Sequence, residues 1–186
     1  MSWIDNSPVS VWEREQAAAA AAEPGAPIAS PELFREAMSR LGAAVHIITT
    51  SGAAGRAGFT ATAVASVSDS PPTVLVCLNR KSQITPVMRE NKVFCVNTLG
   101  SSEEELANVF AGRTGVFMAE RFMRGDWIKL ETGAPVLTNA IAALDCRVLE
   151  MKSVATHDIY FGEVAAIRLA NAEKALVYHA RAYKHV

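Results

Sequence analysis

The sequence predicts a mainly β protein, in which a closed antiparallel barrel carries a few peripheral helices. Three observations support this fold class. The chain contains about seven short apolar stretches rich in β-branched residues, only two well-signalled helices, and no internal repeat. A parallel doubly wound sheet would need a helix between successive strands, and that alternation is missing.

Length and composition indicate a single domain with an N-terminal arm. The chain has 186 residues, of which 50% are hydrophobic, so it can bury a substantial core. Residues 12–22 are good helix formers, but Pro24, Gly25 and Pro27 separate them from the rest of the chain. We expect residues 1–29 to form an arm, either disordered or docked on a neighbouring subunit, and residues 30–186 to form the domain.

Charge and cysteine content limit the partners and the compartment. The formal net charge is -1 with both signs interspersed, which disfavours nucleic acid and anionic membranes as partners. We see neither a signal-peptide pattern nor an apolar run of membrane-spanning length. Cys77, Cys95 and Cys146 lie far apart within apolar runs, which is typical of buried reduced thiols. The protein is therefore expected in the cytoplasm.

The first half of the domain begins with a helix and continues with strands. Ser30 as N-cap, Pro31 at the first helical position and Gly42 as terminator predict a helix over residues 31–41 with an apolar stripe. Strands are predicted at residues 44–50, 59–68, 73–79 and 93–99. The segment GAAGRAG, between the first two strands, is interpreted as a hairpin turn.

The second half contains one more helix signal and two further strands. Ser102 followed by Glu105 forms a capping-box pattern before an apolar helix. Residues 112–126, rich in glycine and charge, are predicted to form a loop of the length that often carries function. Alternation predicts strands at residues 144–148 and 159–167.

The segment GFTATAVASVS raises the question of function. Read with a period of two, its small apolar face alternates with a face that carries Thr60, Thr62, Ser66 and Ser68. The segments NRKSQ and AGRTG place amides, hydroxyls and cations at the ends of elements, which suits a phosphate. Together these features suggest a phosphorylated planar ligand. The alternative is a solvated strand with polar turns.

Other chemistry is not signalled. The sequence contains no Rossmann fingerprint, Walker loop or GxSxG elbow. Its histidines, His46, His157, His179 and His185, lack the spacing of metal ligands. We therefore expect no metal site.

Five segments in order resemble the short-chain flavin reductases that serve two-component monooxygenases. They are FREAMSRLGAAVHIITT, GRAGFTATAVASVSDSPPTVLVCLNRKS, FCVNTL, FAGRTG with ERF behind it, and ATHDIYFGEV. The resemblance covers residues 31–186. It implies a split β-barrel of the FMN-binding type, a homodimer with flavin near the subunit boundary, reduction of FMN or FAD by NADH or NADPH, and delivery of reduced flavin to a monooxygenase.

The resemblance also implies site residues. The residues expected to bind flavin are Thr60, Ala61, Thr62, Ala63, Ser66, Val67, Ser68, Asn79, Lys81, Ser82, Phe110, Ala111, Gly112, Arg121 and Phe122. Among them, Asn79, Lys81 and Ser82 would hold phosphate. His157, from ATHD, would contact the nicotinamide, with Asp158 fixing its tautomer.

One position departs from the family pattern, and two other functions compete. Relatives commonly have glycine where this chain has Ala155, whose Cβ restricts the backbone. Tyr183, close to the end of the chain, is expected to pack in a C-terminal strand rather than contact nicotinamide. The competing functions are a non-catalytic flavin sensor or storage protein on the same barrel, and an enzyme similar to pyridoxamine-phosphate oxidase.

Overall fold

The computed structural model describes residues 28–170 and 174–186. They divide into two units: residues 28–38 belong to the first, and the second is Ser39–Val186. The predicted arm therefore lies outside the described residues, apart from its last two. None of the described helices is long and apolar enough to cross a membrane.

The first helix begins where the sequence predicts. Helix α1 (Pro31–Ser39) starts after Ser30, whose Oγ accepts a hydrogen bond from the Leu33 N–H at 3.2 Å. It ends before Leu41, and its apolar stripe is exposed at Leu33 and Phe34. The N-cap prediction is confirmed.

The second unit is built mainly of strands. In chain order they are β1 (Ala43–Ala44), β2 (His46–Gly52), β3 (Gly55–Ala61), β4 (Val64–Asp69), β5 (Pro72–Asn79), β6 (Val93–Thr98), β7 (Trp127–Lys129), β8 (Pro135–Leu137), β9 (Ala142–Val154), β10 (His157–Leu169), β11 (Leu176–His179) and β12 (Ala182–His185). The mainly β class is confirmed, and so is the hairpin between β2 and β3.

One antiparallel sheet dominates the fold. Its seven strands follow the order β3-β2-β6-β9-β10-β5-β4, and β1, β11 and β12 form a smaller sheet. Within the described ranges no ladder pairs β3 with β4, so hydrogen bonds do not close the sheet as predicted. β3 and β4 are the two edge strands of this sheet, paired on one side only with β2 and β5 respectively. The resulting open arrangement is consistent with a split barrel.

The predicted strand over residues 59–68 is in fact two strands. The chain leaves the ladder at Thr62 and Ala63, which are exposed, and then changes partner from β2 to β5. A register shift occurs further along, between Ser66 and Ser68. The hydroxyl side chains therefore do not share one continuous face, and this prediction is wrong.

Short helices occupy two predicted connections. Helix α2 (Thr85–Asn91) lies between β5 and β6, and α4 (Met118–Arg121), with a 3₁₀ turn at Phe122–Arg124, lies in the predicted loop. Helix α3 (Glu104–Phe110) confirms the second predicted helix. The capping box does not form, because a 3₁₀ turn over Ser101–Glu103 precedes the helix and no side chain caps it.

Two apolar clusters form the core. Ile48, Met88, Phe94 and Tyr160 belong to one, and Phe110 belongs to the other. Cys95 and Cys146 are buried as predicted, Cys77 is half-buried, and all three are free thiols. Helices α2 and α3 thus pack on the sheet through Met88 and Phe110 and bring the loops beside them to its edge.

Candidate functional site

A cavity of about 160 Å³ lies beside the point where β3 ends. We call it the tyrosine cavity; it is lined by Val45, Thr60, Ala61, Thr62, Ala111, Arg113, Tyr178 and Tyr183. The sequence predicts four of these residues as flavin-binding: Thr60, Ala61, Thr62 and Ala111. The structure thus brings the start of GFTATAVAS together with FAGRTG.

An arginine and two tyrosines form the polar wall of the tyrosine cavity. The rings of Tyr178 and Tyr183 lie edge to face, with centroids 5.3 Å apart. The Arg113 guanidinium carbon lies 5.9 Å and 5.6 Å from the two ring centroids. Asn108 Oδ1 accepts a hydrogen bond from Arg113 at 3.0 Å. This wall can stack on a planar group and also offers a cation.

Burial and charge act in opposite directions on Tyr183. Burial raises the pKa of its phenol above the ordinary value, and the opposing charge of Arg113 does not cancel that rise. Tyr183 therefore stays protonated near neutral pH and can donate a hydrogen bond. The expected C-terminal strand is present as β12, but the side chain of Tyr183 also faces the cavity.

The predicted hydroxyls are divided between different places. Thr60 Oγ1 donates to the Ala107 carbonyl at 2.6 Å and so fastens β3 to α3. Thr62 and Ala63 are exposed at the strand break. Ser66, Val67 and Ser68 lie along β4 and do not line the tyrosine cavity, and Ser68 Oγ accepts the Ser70 N–H at 3.1 Å.

The aromatic residues predicted beside flavin lie in the core. Phe110 and Phe122 are buried with ring centroids 5.1 Å apart, and neither lines the tyrosine cavity. Arg121 donates to the carbonyls of Val116 at 3.1 Å and Phe110 at 3.3 Å. Gly112 has a φ of 75°, a conformation that favours glycine. These residues shape the loop that presents Ala111.

A second cavity, of about 380 Å³, lies near the end of β5. We call it the arginine cavity; it is lined by Arg80, Lys81, Arg89, Ala155 and Thr156. Three cationic side chains around one cavity suit an anion such as phosphate. Of the lining residues, the sequence predicts only Lys81 as a phosphate ligand.

The turn after β5 is held by its own polar groups. Asn79 Oδ1 accepts the Lys81 N–H at 2.9 Å, and the Asn79 carbonyl accepts the Ser82 N–H at 2.9 Å. Ser82 Oγ accepts the Ile84 N–H at 3.3 Å. Asn79 and Ser82 thus shape the turn, whereas Lys81 faces the cavity.

His157 lies beside that turn. It is the first residue of β10, pairs with Asn79 across the sheet and is exposed. Its Nδ1 lies 2.9 Å from Thr156 Oγ1. The structure therefore places the predicted nicotinamide residue next to the predicted phosphate turn.

Asp158 does not orient His157, and that prediction is wrong. The neighbouring positions 157 and 158 project to opposite faces of β10, and Asp158 is completely buried. Its carboxylate accepts hydrogen bonds from Arg89 Nε at 3.0 Å, Arg89 Nη2 at 2.7 Å and Ser153 Oγ at 2.7 Å. Burial alone would raise the pKa of Asp158, but Ser153, Arg89 and Arg80 hold it below its ordinary value.

The end of β5 links the two cavities. The Ala63 carbonyl, one residue past Thr62 of the tyrosine cavity, accepts the Cys77 N–H at 3.1 Å. Asn79, two residues further along β5, precedes the turn at the arginine cavity. Two residues of strand span roughly 7 Å. Residues of both cavities therefore lie near the same end of β5.

The structure adds cavity residues that the sequence did not indicate as ligands, among them Arg80, Arg89, Arg113 and Tyr178. Arg113 belongs to the segment AGRTG. The only indication of a binding role for Arg113 in the sequence was that this segment suits a phosphate. Tyr178 and Arg89 carry no local signal, because tertiary pairing brings them to the cavities. The described residues contain no group of three or more His, Cys, Asp or Glu side chains able to hold a metal.

The mainly β fold, with one cavity suited to a planar group and another suited to a phosphate, is typical of a flavin-binding protein. Comparison with known proteins gives the family. Residues 38–186 match the flavin reductase like domain, and the chain belongs to this family. A relative from Pantoea ananatis named FMN reductase (NADH) RutF is 52% identical over 150 residues, covering 81% of this chain and 78% of its own.

Solved structures agree with this assignment. BorF, the flavin reductase component of a bacterial two-component tryptophan halogenase, superposes with a TM-score of 0.78 at 25% identity, covering 84% of this chain and 98% of its own. The Streptomyces globisporus NADH:FAD oxidoreductase SgcE6, in complex with NAD and FAD fragments, gives a TM-score of 0.76 at 26% identity, covering 86% and 96%.

Proposed function

We propose that this chain is an NADH-dependent FMN reductase that supplies reduced flavin to a partner monooxygenase. The observation that carries the proposal is the 52% identity over 150 residues to an FMN reductase (NADH). The two cavities support the proposal, since the lining of the tyrosine cavity suits a planar ring and the lining of the arginine cavity suits a phosphate. Related flavin reductases act on FAD or bind NADP+, so FAD and NADPH are the alternative cosubstrates to be tested.

The chemistry of the lining residues fits flavin. Thr60 and Thr62 offer neutral hydroxyls, Ala61 and Ala111 allow close approach, and the tyrosine pair offers an aromatic wall. The cations of the arginine cavity suit the phosphate. The ring would therefore lie by the tyrosine cavity and the phosphate by Lys81.

The chain's own contribution to the reaction is positioning. Bound flavin accepts a hydride from reduced nicotinamide, which needs the two rings in contact. The walls around Thr62 and Ala111 would orient one ring, and His157 would give the nicotinamide carboxamide one hydrogen bond. Fixing two reactants in this way replaces an encounter in solution. The remaining predicted residues stay predictions of the family resemblance: Ala63, Ser66, Val67, Ser68, Asn79, Ser82, Phe110, Gly112, Arg121 and Phe122.

A homodimer would complete the site. The tyrosine cavity of one chain, at about 160 Å³, is smaller than the ~300–1,000 Å³ usual for small-molecule pockets. Ser66 and Val67 are exposed on β4, an edge strand of the large sheet. In a twofold dimer, this edge would place predicted flavin residues against the second chain.

The class of reaction indicates the partner. Reduced flavin made here would have to leave and be consumed by an oxygenase. One related structure is a nitrilotriacetate monooxygenase component B, which supports a two-component system. The cytoplasmic location stays a prediction.

Steady-state kinetics and ligand exchange test the proposed function. We expect oxidation of NADH only when FMN is added, and loss of flavin on dialysis, because a flavin that leaves needs modest affinity, on the order of micromolar. Retained flavin with no NADH oxidation would instead indicate a sensor or storage protein. Sedimentation should show a dimer at assay concentration, and a fully active monomer would refute the shared site.

A further inference from the structure

We propose that Asp158 is a positioning residue. It fixes the turn that precedes His157, and it also holds Arg80 and Arg89, the two arginines of the arginine cavity. The inference rests on the proposed function of His157. Asp158 touches neither cavity, so it would act only through the groups it holds.

The turn before His157 needs external support. Ala155 has a φ of 47°, a left-handed conformation that residues with a Cβ disfavour. Strained backbone of this kind persists when surrounding contacts fix it. Arg80 supplies two such contacts: its N–H donates to the Thr156 carbonyl at 3.0 Å, and its Nη1 donates to the Ala155 carbonyl at 3.4 Å.

Asp158 joins the three segments that meet at this turn. Its carboxylate binds Arg89 of α2 and Ser153 of β9, and Arg80 Nε lies 3.8 Å away. The carboxylate is completely buried, whereas the Arg80 and Arg89 side chains keep 51% and 43% of their surface exposed. One buried anion thus anchors two cations whose other donors remain available to the arginine cavity.

A substitution that removes only the charge of Asp158 distinguishes the positioning role from a purely structural one. Replacing Asp158 with Asn keeps the side-chain shape but leaves the positive charge of Arg80 and Arg89 without its buried partner. Extra positive charge beside the cavity attracts phosphate more strongly. The added positive charge offsets the looser placement of the two arginines, so FMN affinity should be retained or increase, while the loosened turn slows flavin reduction by NADH.

The experiment compares Asp158→Asn with a second buried carboxylate. Asp145 is also completely buried, and its carboxylate accepts the Thr132 N–H at 2.7 Å, so Asp145→Asn is a matched control. Ser153→Ala, which removes only one hydrogen bond to Asp158, serves if Asp158→Asn does not fold. FMN dissociation constants and anaerobic single-turnover reduction at saturating FMN are measured on each full-length variant.

We expect reduction to slow at least tenfold in Asp158→Asn and several-fold in Ser153→Ala, with unchanged or tighter FMN binding and with Asp145→Asn close to wild type. Equal loss of FMN binding and rate would overturn the inference, as would wild-type rates in folded Asp158→Asn. An inactive wild-type protein would refute the proposed function itself, before any variant is compared.

Discussion

Replacing His157 with alanine should slow flavin reduction without changing the stability of the protein. The side chain is exposed, and within the described residues its ring has one hydrogen-bond partner, the neighbouring Thr156, so its removal should change the free energy of unfolding by less than ~0.5 kcal/mol. If it gives the nicotinamide carboxamide one hydrogen bond, the loss is ~1–3 kcal/mol of transition-state stabilisation. That range corresponds to a roughly 5- to 150-fold slower hydride step.

Stopped-flow flavin reduction under anaerobic conditions measures this step directly. FMN affinity should stay nearly unchanged, because the residues proposed to hold flavin are untouched. His185 is a suitable control, since it is also exposed and its Nε2 lies 2.9 Å from Glu104 Oε2. His185→Ala should reduce flavin at the wild-type rate. If folded His157→Ala does so too, His157 is only part of a turn.

Three further predictions concern stability. Ala155→Gly should stabilise the protein by about 1 kcal/mol, because it relieves ~1–2 kcal/mol of left-handed strain at a smaller entropic cost; a denaturation midpoint below wild type would contradict this. Gly162→Ala should cost ~1–3 kcal/mol in a urea titration, since its Cβ would lie 2.7 Å from Phe94 Cε1, and an unchanged midpoint would show that the core yields freely. Burial lowers the pKa of His46 from 6.5 to about 4, so the unfolded state binds the extra proton between those values. Stability should therefore fall by about 3 kcal/mol as the pH drops from 6.5 towards 4, and the slope of stability against pH should decrease in His46→Gln.

Local patterns predicted most strands because burial on one face imposes a period of two. The strands at Pro72–Asn79 and Val93–Thr98 lie within one residue of their predicted limits. The break at Thr62 and Ala63 could not be read in this way. It arises because β3 and β4 pair with different neighbours, while the small side chains continue to alternate across the break.

Contacts between distant segments account for what the sequence missed at the site. Helix α2 has only seven residues, and it is held by burial of Met88 and by the bond from Arg89 to Asp158, 69 positions away. Arg113 meets Tyr178 across 65 positions. Such partners have no fixed spacing, so the arginine cavity was predicted only through Lys81.

The distribution of charge at the sheet edge fits a reaction that needs orientation more than acid–base chemistry. At the arginine cavity Arg80, Lys81 and Arg89 are cationic, and the one nearby buried carboxylate, Asp158, is fully engaged by Arg89 and Ser153. At the break of β3 the side chains are neutral hydroxyls and methyl groups. The arginine cavity has three cations and the tyrosine cavity has one, Arg113, so the charges favour one direction for a ligand with a phosphate at one end and a neutral ring at the other. Hydride transfer requires contact at a single ring position. This fold can therefore accelerate the transfer by fixing the direction in which the flavin is bound.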